Sequence, residues 1–406
     1  MPIALIVCLI PYSQRVVLFS LDFNMLRVAL TLGLLRLLLK PSEVPAKFST
    51  LDKVFLYWSL AGSIVYVLGQ PSISSVVYKL GLSFELLGFY LLCRSMLPDM
   101  DHAAHFLSRF AIVTTFIAIG VIVELNTRYN IFSILGGVPE TTWMRDGRLR
   151  CQAAFSHPIM AGVYGATSLP LFIGLFFYDR KHRLLAFLGS ISSTIIVGGS
   201  ASSGPLFAVI AAGVALSLWL IRRRMRLFRW CLFAGLLFLH LIREQPVWHL
   251  IGRASDLVGG TGYHRVALIN AFVDRFAEWM LVGSTNVAYW GWGLQDVTNQ
   301  YVLEGVRGGL VSLILLIAIL VYCYKRVGSY LNSKTSKSND FWVWCIGACV
   351  TSHTVSFIGV SYFGQLNSIF ALHIAIVASL PLASSLAKSR PASMVKTNHP
   401  EFMVLR

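Results

Sequence analysis

The chain has 406 residues, of which 56% are hydrophobic and 13% charged, with a mean hydropathy of +0.68. That balance excludes an ordinary soluble globular protein. The formal charge of +16 does not point to nucleic acid, because the Lys and Arg residues sit in short clusters between apolar runs, as membrane topology requires.

In chain order, apolar runs suited to a bilayer core of ~30 Å predict spans near 1–19, 24–39, 54–69, 80–97, 107–125, 158–178, 184–199, 204–221, 228–242, 300–324, 341–359 and 363–386. The expected fold class is all-α: a single polytopic integral membrane domain over 1–406 with about twelve transmembrane helices. The first span is the weakest. No basic segment precedes it as in a cleavable signal peptide, and Met1–Ile10 is too short to cross alone, so either Pro11–Ser20 contributes to the span or the natural chain begins upstream of Met1, the second being slightly favoured. The 184–221 pair is divided only by "GGSASSGP", a Gly/Ser/Pro turn.

Basic clusters assign the sides. "RRRMRLFR" (Arg222–Arg229) carries five arginines and is expected in the cytoplasm. Alternation then places Lys40–Lys53, Arg94–Arg109, Asp179–Arg183, Lys325–Lys337 and the C-terminal tail on the same side, with both termini cytoplasmic. Two long extracytoplasmic loops remain, 126–157 and 243–299, and long polar loops on a compact membrane protein are where function concentrates. The first loop crowds Arg145, Arg148 and Arg150 into "WMRDGRLRCQ", against the charge rule, and reads either as a tolerated exception to a statistical rule or as an outward anion site. The second contains "YHRVALINAFVDRFAEWML" (Tyr263–Leu281), whose Val266, Ile269, Val273, Phe276 and Met280 recur at helical spacing. Its Asp274, Arg275 and Glu278 rule out a lipid-buried span, so it reads as an amphipathic helix over the membrane mouth.

Nucleotide-binding P-loops, dinucleotide-binding glycine motifs, HExxH and GxSxG are all absent from the sequence. The seven cysteines show no CxxC pair and no regular spacing, so neither a metal site nor a disulfide framework is expected, and no cofactor is implied. The chemistry-bearing residues cluster toward one face: His157 before the helix-starting Pro158, His264 and Arg265 at the head of the amphipathic helix, and Asp296, Thr298 and Asn299 before a span holding Glu304 and Arg307. Each also has a plain structural use. His157 and Asn299 can cap helices, Glu304 and Arg307 can pair along one helix, and Gly305, Gly308 and Gly309 can let helices approach closely. Outward guanidinium groups suit a phosphate-bearing ligand, and Trp279, Trp290 and Trp292 suit either interfacial anchoring or sugar stacking. A membrane enzyme without a nucleotide motif needs a substrate already activated in the membrane, and a polyprenyl-pyrophosphate-linked glycan meets that need.

Four segments carry a family resemblance: "RCQAAFSHPIMAG", "GGSASSGPLFAV", "GYHRVALINAFVDRFAEWMLVGS" and "GWGLQDVTNQYVLEGVRGGL". In their order and spacing the chain, from about Leu21 to Leu386, resembles the O-antigen ligase and polymerase superfamily, most closely its exopolysaccharide-polymerase branch. The resemblance implies an all-helical, C-type glycosyltransferase-like membrane fold, a large outward loop before a late helix, and lipid-pyrophosphate-linked sugar donors. It also implies that Arg150 and Arg265 match outward arginines of the family. Ligases carry a His directly before the Asn that opens the late helix, and here that position is Thr298 before Asn299, which shifts the expectation toward a polymerase.

The expected activity is extension of an extracellular polysaccharide at the outer face of a bacterial cytoplasmic membrane, with the lipid-linked glycan, the bilayer and other polysaccharide-export proteins as the expected partners. Arg150 and Arg265 are expected to stabilise the departing pyrophosphate. Asp296 is the first choice of general base and His264 the second. His157, Arg145, Arg148, Trp292, Asn299 and Arg307 are expected to bind or orient substrate. The rival expectations are ligation within the same superfamily, transport of a lipid-linked glycan or anion, and a non-catalytic membrane subunit.

Overall fold

The computed structural model describes residues 7–18, 21–45, 47–256, 262–284, 286–333 and 336–381 as a bundle of helices with two small hairpins. The helices are α1 Met25–Leu39, α2 Thr50–Gly69, α3 Ile73–Met96, α4 Met100–Thr127, α5 Pro158–Tyr178, α6 Arg183–Gly199, α7 Ser203–Ser217 and α8 Met225–Ile242. They continue as α9 His249–Asp256, α10 Gly262–Asp274, α11 Phe276–Trp279, α12 Gln300–Leu331, α13 Lys337–Gly359 and α14 Gln365–Ser379. Strands β1 Arg15–Leu18 and β2 Leu21–Asn24 pair antiparallel, as do β3 Trp143–Arg145 and β4 Arg148–Arg150.

Among the described residues, eight helical stretches are long and apolar enough to cross a membrane. They are α2, α3, α4, α5, Arg180–Gly199, Ser203–Ile242, α12 and α13. The protein is therefore a mostly helical, multi-pass membrane protein.

Local chemistry sets the helix ends. Ser49 and Asp52 form a reciprocal capping box at the start of α2, and Pro158 occupies the first turn of α5, where its missing N–H costs nothing. Every residue of α14 except Asn367 is buried, which makes this short apolar helix the bundle's central pillar. α3, α4, α5, α12 and α13 pack around it, while α6 and α7 pack on α5. Lipid removes the hydrophobic drive between helices, so close packing and cross-helix hydrogen bonds must hold them. Ser352 Oγ donates to the carbonyls of Ala166 and Ala208 at 3.2 and 3.1 Å, and the Thr114 and Tyr164 hydroxyls meet at 2.6 Å. Each such bond contributes about 0.6 kcal/mol.

Several expected elements differ. In the described part of the expected 1–19 span, residues 7–9 are helical and the helix ends there. A turn closes at Gln14 N–H to Pro11 C=O, and the β-branched Val16–Val17 pair follows in a hairpin instead; residues 1–6 lie outside the described set. α1 has 15 residues and so reaches only about 22 Å, short of a bilayer core. The expected spans 204–221 and 228–242 form one 40-residue stretch, interrupted by a tighter helical turn over Leu218–Arg224, where Ile221 leaves helical geometry. α8 buries none of its residues. The expected helix Tyr263–Leu281 is two helices, α10 and α11, broken at Arg275. The late span runs on to Leu331 and is broken at Gly309, whose φ of 62° and ψ of −171° lie outside helical space. Only glycine adopts that backbone cheaply. The break frees groups that the preceding loop takes up: Leu310 N–H donates to Met280 C=O, and Ser284 N–H to Val306 C=O.

The bundle segregates its polar residues by end. Arg94 pairs with Asp52 at 2.7 Å, the Tyr178 hydroxyl donates to Asp101 at 2.5 Å, and Ser338 Oγ donates to Phe177 C=O, so these helix termini share one end. The 128–157 loop, the 243–299 loop, the start of α7 and the end of α13 meet at the other, referred to below as the loop end.

Candidate functional site

The first loop is fastened from below. The buried Glu124 carboxylate, near the end of α4, accepts the N–H groups of Gln152 and Ala153 at 3.1 and 2.6 Å and the Thr142 hydroxyl at 3.2 Å. Cys151 N–H then donates to Gly199 C=O at 2.8 Å, which sets the loop beside the end of α6. Above this clip stands the β3–β4 hairpin. Its Asp146–Gly147 turn has positive φ at both residues, the geometry that matches the twist of paired strands. Arg145 and Arg148 are exposed on it, with Arg145 Nε 3.4 Å from the Asp146 carboxylate.

Arg150 turns inward. Its Nη2 donates to Ser202 Oγ at 2.7 Å, while its buried Nε has no hydrogen-bond partner. Burial, with Arg145 nearby, pushes this guanidinium below its ordinary pKa. Arg265, far away in sequence, comes from α10 and is buried. Its Nη2 lies 3.4 Å from Ser203 Oγ, and its guanidinium packs on Gly359 at the end of α13. Burial lowers its pKa as well. Two arginines from the two long loops thus converge on adjacent serines at the N-terminus of α7. Ser202 is the N-cap residue there and makes no side-chain cap bond, so the first N–H groups of α7 gain no capping bond from it. Two guanidinium groups at a helix N-terminus form an anion-binding arrangement. Gly162 makes the arrangement possible, because a Cβ there would collide with Ser200 Oγ and the Pro205 ring.

His157 caps α5: its Nδ1 accepts the Ile159 N–H at 3.1 Å, which leaves Nε2 for another partner. Burial lowers the His157 pKa, the charge of Arg150 lowers it further, and Asp296 opposes both. Those electrostatic neighbours bring the second loop's Asp296 into the surroundings of Arg150 and His157. Asp296 itself is exposed, and its backbone carbonyl lies 3.0 Å from His264 Nε2. With Nε2 donating there, His264 keeps Nδ1 as its basic nitrogen. The two candidate bases therefore touch through the main chain and not as a carboxylate–imidazole pair.

The remaining predicted residues divide. Asn299 is buried and structural: Oδ1 accepts the Val302 N–H at 3.1 Å, and Nδ2 donates to Ile358 C=O at 2.9 Å. Both ends of the amide thus serve to fasten α12 to α13. Trp292 is fully exposed at 102%, whereas Trp279 and Trp290 are buried. Trp279 stacks on Phe272 at 3.9 Å, and Trp290 Nε1 donates to Glu278 at 3.3 Å, so only Trp292 is left for a bilayer or a sugar ring.

Glu304 and Arg307 do not form the helical pair that their spacing allows. The Glu304 carboxylate instead accepts Trp58 Nε1 at 3.0 Å, Gln300 Nε2 at 2.8 Å and the Ser312 hydroxyl. Arg307 is exposed, and with Lys79, Glu304 and Ser312 it lines a cavity of about 120 Å³ between α2, α3 and α12. Sequence reasoning missed Ser202, Ser203 and Glu124. The serines sit in a segment that reads as a plain turn, and Glu124 is a lone carboxylate at a span end; its only signal was the cost of placing it there.

Comparison with family models and with curated proteins finds no match for this chain. The geometry above, with the motif resemblance, is what bears on function.

Proposed function

We propose that this protein is a membrane glycosyltransferase of the O-antigen ligase and polymerase type. It would polymerise lipid-pyrophosphate-linked oligosaccharide units at the outer face of a bacterial cytoplasmic membrane, with the loop end outward and both termini inside. On this reading the chain has the C-type glycosyltransferase-like architecture, 126–157 is the first extracytoplasmic loop, and 243–299 is the large one. The observation that carries the reading is the convergence of Arg150 and Arg265 on Ser202 and Ser203 at the start of α7.

In the proposed reaction, the donor pyrophosphate binds across the two guanidinium groups. The Asp296 carboxylate takes the proton of an acceptor sugar hydroxyl. The freed oxygen forms a bond to the donor's anomeric carbon as the carbon–oxygen bond to pyrophosphate breaks, and the leaving charge falls on the arginines. His264 is the alternative base through Nδ1, and His157 Nε2 orients the donor. Arg145, Arg148 and Trp292 receive the glycan at the rim, and Arg307 faces the neighbouring cavity.

A second reading has its own observation. Discontinuous helices with charged residues at the break are a transporter feature, and α12 breaks at Gly309 beside Glu304 and Arg307. One assay separates the readings. The full chain in lipid nanodiscs is given a polyprenyl-pyrophosphate-linked repeat unit, and the products are sized. Ladders of two and more units support the polymerase; transfer only to a different acceptor supports a ligase. Donor crossing in proteoliposomes without elongation supports the transporter.

A further inference from the structure

Away from the loop-end cluster, three potential ligands converge inside the bundle. Cys349 and His353 lie four residues apart on α13, so they share one helical face. His373 meets them from α14. His373 Nδ1 is 2.8 Å from His353 Nε2 and 3.4 Å from Cys349 Sγ, and the three atoms lie within 4.8 Å of one another. All three residues are buried. The inward-facing atoms of the trio are therefore His353 Nε2, His373 Nδ1 and Cys349 Sγ, while His373 Nε2 points away, buried and without a partner. The Tyr362 hydroxyl, 2.8 Å from His353 Nδ1, fixes that ring from behind, as an outer-shell partner fixes a ligating imidazole.

We propose that Cys349, His353 and His373 form a metal site that takes a cuprous ion. The separations are close to what ligation needs. Bonds of about 2.0 Å to nitrogen and 2.3 Å to sulfur place neighbouring nitrogens about 3.3 Å apart, and nitrogen and sulfur about 3.6 Å apart. The Cys349–His373 separation is almost there, the two rings need to part by about half an ångström, and Cys349 Sγ lies within 4.8 Å of His353 Nε2. Charge selects the metal. One thiolate and two neutral imidazoles carry a single negative charge, so a monovalent ion leaves the site neutral. A divalent ion would leave a net charge inside the bundle with no carboxylate in the cluster to cancel it. A soft thiolate with two imidazoles also suits Cu(I). Loading replaces the thiol proton: the S–H bond breaks, the copper–sulfur bond forms, and one proton goes to solvent per ion bound, with no change of oxidation state.

The test is a titration of the detergent-purified full chain with Cu(I) held by bicinchoninate, with metal content read by mass spectrometry. One copper per chain is expected, with one proton released. Cys349→Ser should lower the affinity at least about 100-fold, in the range of lost metal affinity, while replacing the exposed Cys231 by Ser changes nothing. No copper uptake by the wild-type chain, or equal uptake by Cys349→Ser, overturns the site. Zn²⁺ displacing the copper in direct competition overturns the cuprous assignment. If Cys349→Ser does not fold, X-ray absorption of the copper-loaded wild type decides: one sulfur and two nitrogen neighbours support the site, and nitrogen or oxygen neighbours alone refute it.

Discussion

Arg150 and Glu304 are both charged, both half-buried and both near the loop end, yet the fold treats them in opposite ways. Glu304 is satisfied by Trp58, Gln300 and Ser312, three donors from its own and a neighbouring helix. Arg150 has its Nη2 bond to Ser202 and a buried Nε with nothing to donate to. A carboxylate held by several donors rigidifies the helices that supply them. A guanidinium left short of acceptors, in a place that burial makes costly, is stabilised by an arriving anion. The difference teaches that charge at a membrane mouth is no guide to function until its partners are counted. Glu304 holds α12 to α2, and Arg150 keeps a buried donor free for the anion proposed above.

The largest effect should come from Asp296→Asn, which keeps shape and removes the proposed base. Elongation should fall roughly 10²–10⁴-fold, as for loss of a general base, with donor binding retained. Unchanged turnover would move the base to His264.

Glu304→Ala probes the other half of the comparison. It leaves Trp58 Nε1 and Gln300 Nε2 without their acceptor, which costs about 1–3 kcal/mol for each donor left buried. The thermal midpoint should drop, while turnover per folded molecule stays within a few-fold of wild type. A loss of turnover without a loss of stability would put Glu304 in the chemistry and erase the contrast.

A smaller effect follows from His157. Its pKa is lowered by burial and by Arg150, so the unfolded chain takes up this proton first as pH falls. The stability that neutral His157 contributes is complete above the unfolded value of about 6.5 and is lost as pH drops from there toward the lowered folded value. His157→Gln should flatten that part of the stability profile, measured as thermal midpoint against pH. An identical profile in the variant would mean that the fold does not lower the His157 pKa.

Much of the helical plan was legible because long apolar runs bounded by Pro, Gly and basic clusters admit few alternatives. The 158–178 span is the same in sequence and structure for that reason, down to its Pro158 start. The misreadings have physical causes. The apolar run around Val16–Val17 is short enough for its β-branched residues to pair as strands. The break at Gly309 depends on carbonyls of Met280 and Leu281, which no pattern within the span could reveal. Arg150 stood out because, on the expected topology, the positive charge of its loop goes against the charge rule. The serine partners did not, because Ser202 and Ser203 acquire meaning only when two distant loops fold onto them. The Cys349–His353 spacing was present in the sequence as well, but His373 arrives from another helix.

The most direct test of the central claim is binding of inorganic pyrophosphate to the detergent-purified full chain by calorimetry, comparing wild type with Arg150→Ala, Arg265→Ala and Arg265→Lys. The account predicts saturable binding by wild type that each alanine change weakens at least about tenfold and that lysine restores poorly, since an ammonium does not reproduce the bidentate fork. Glu304→Ala should bind like wild type. Pyrophosphate affinity that is the same in wild type and in both alanine variants would contradict the account, because the two arginines would then not be the anion site.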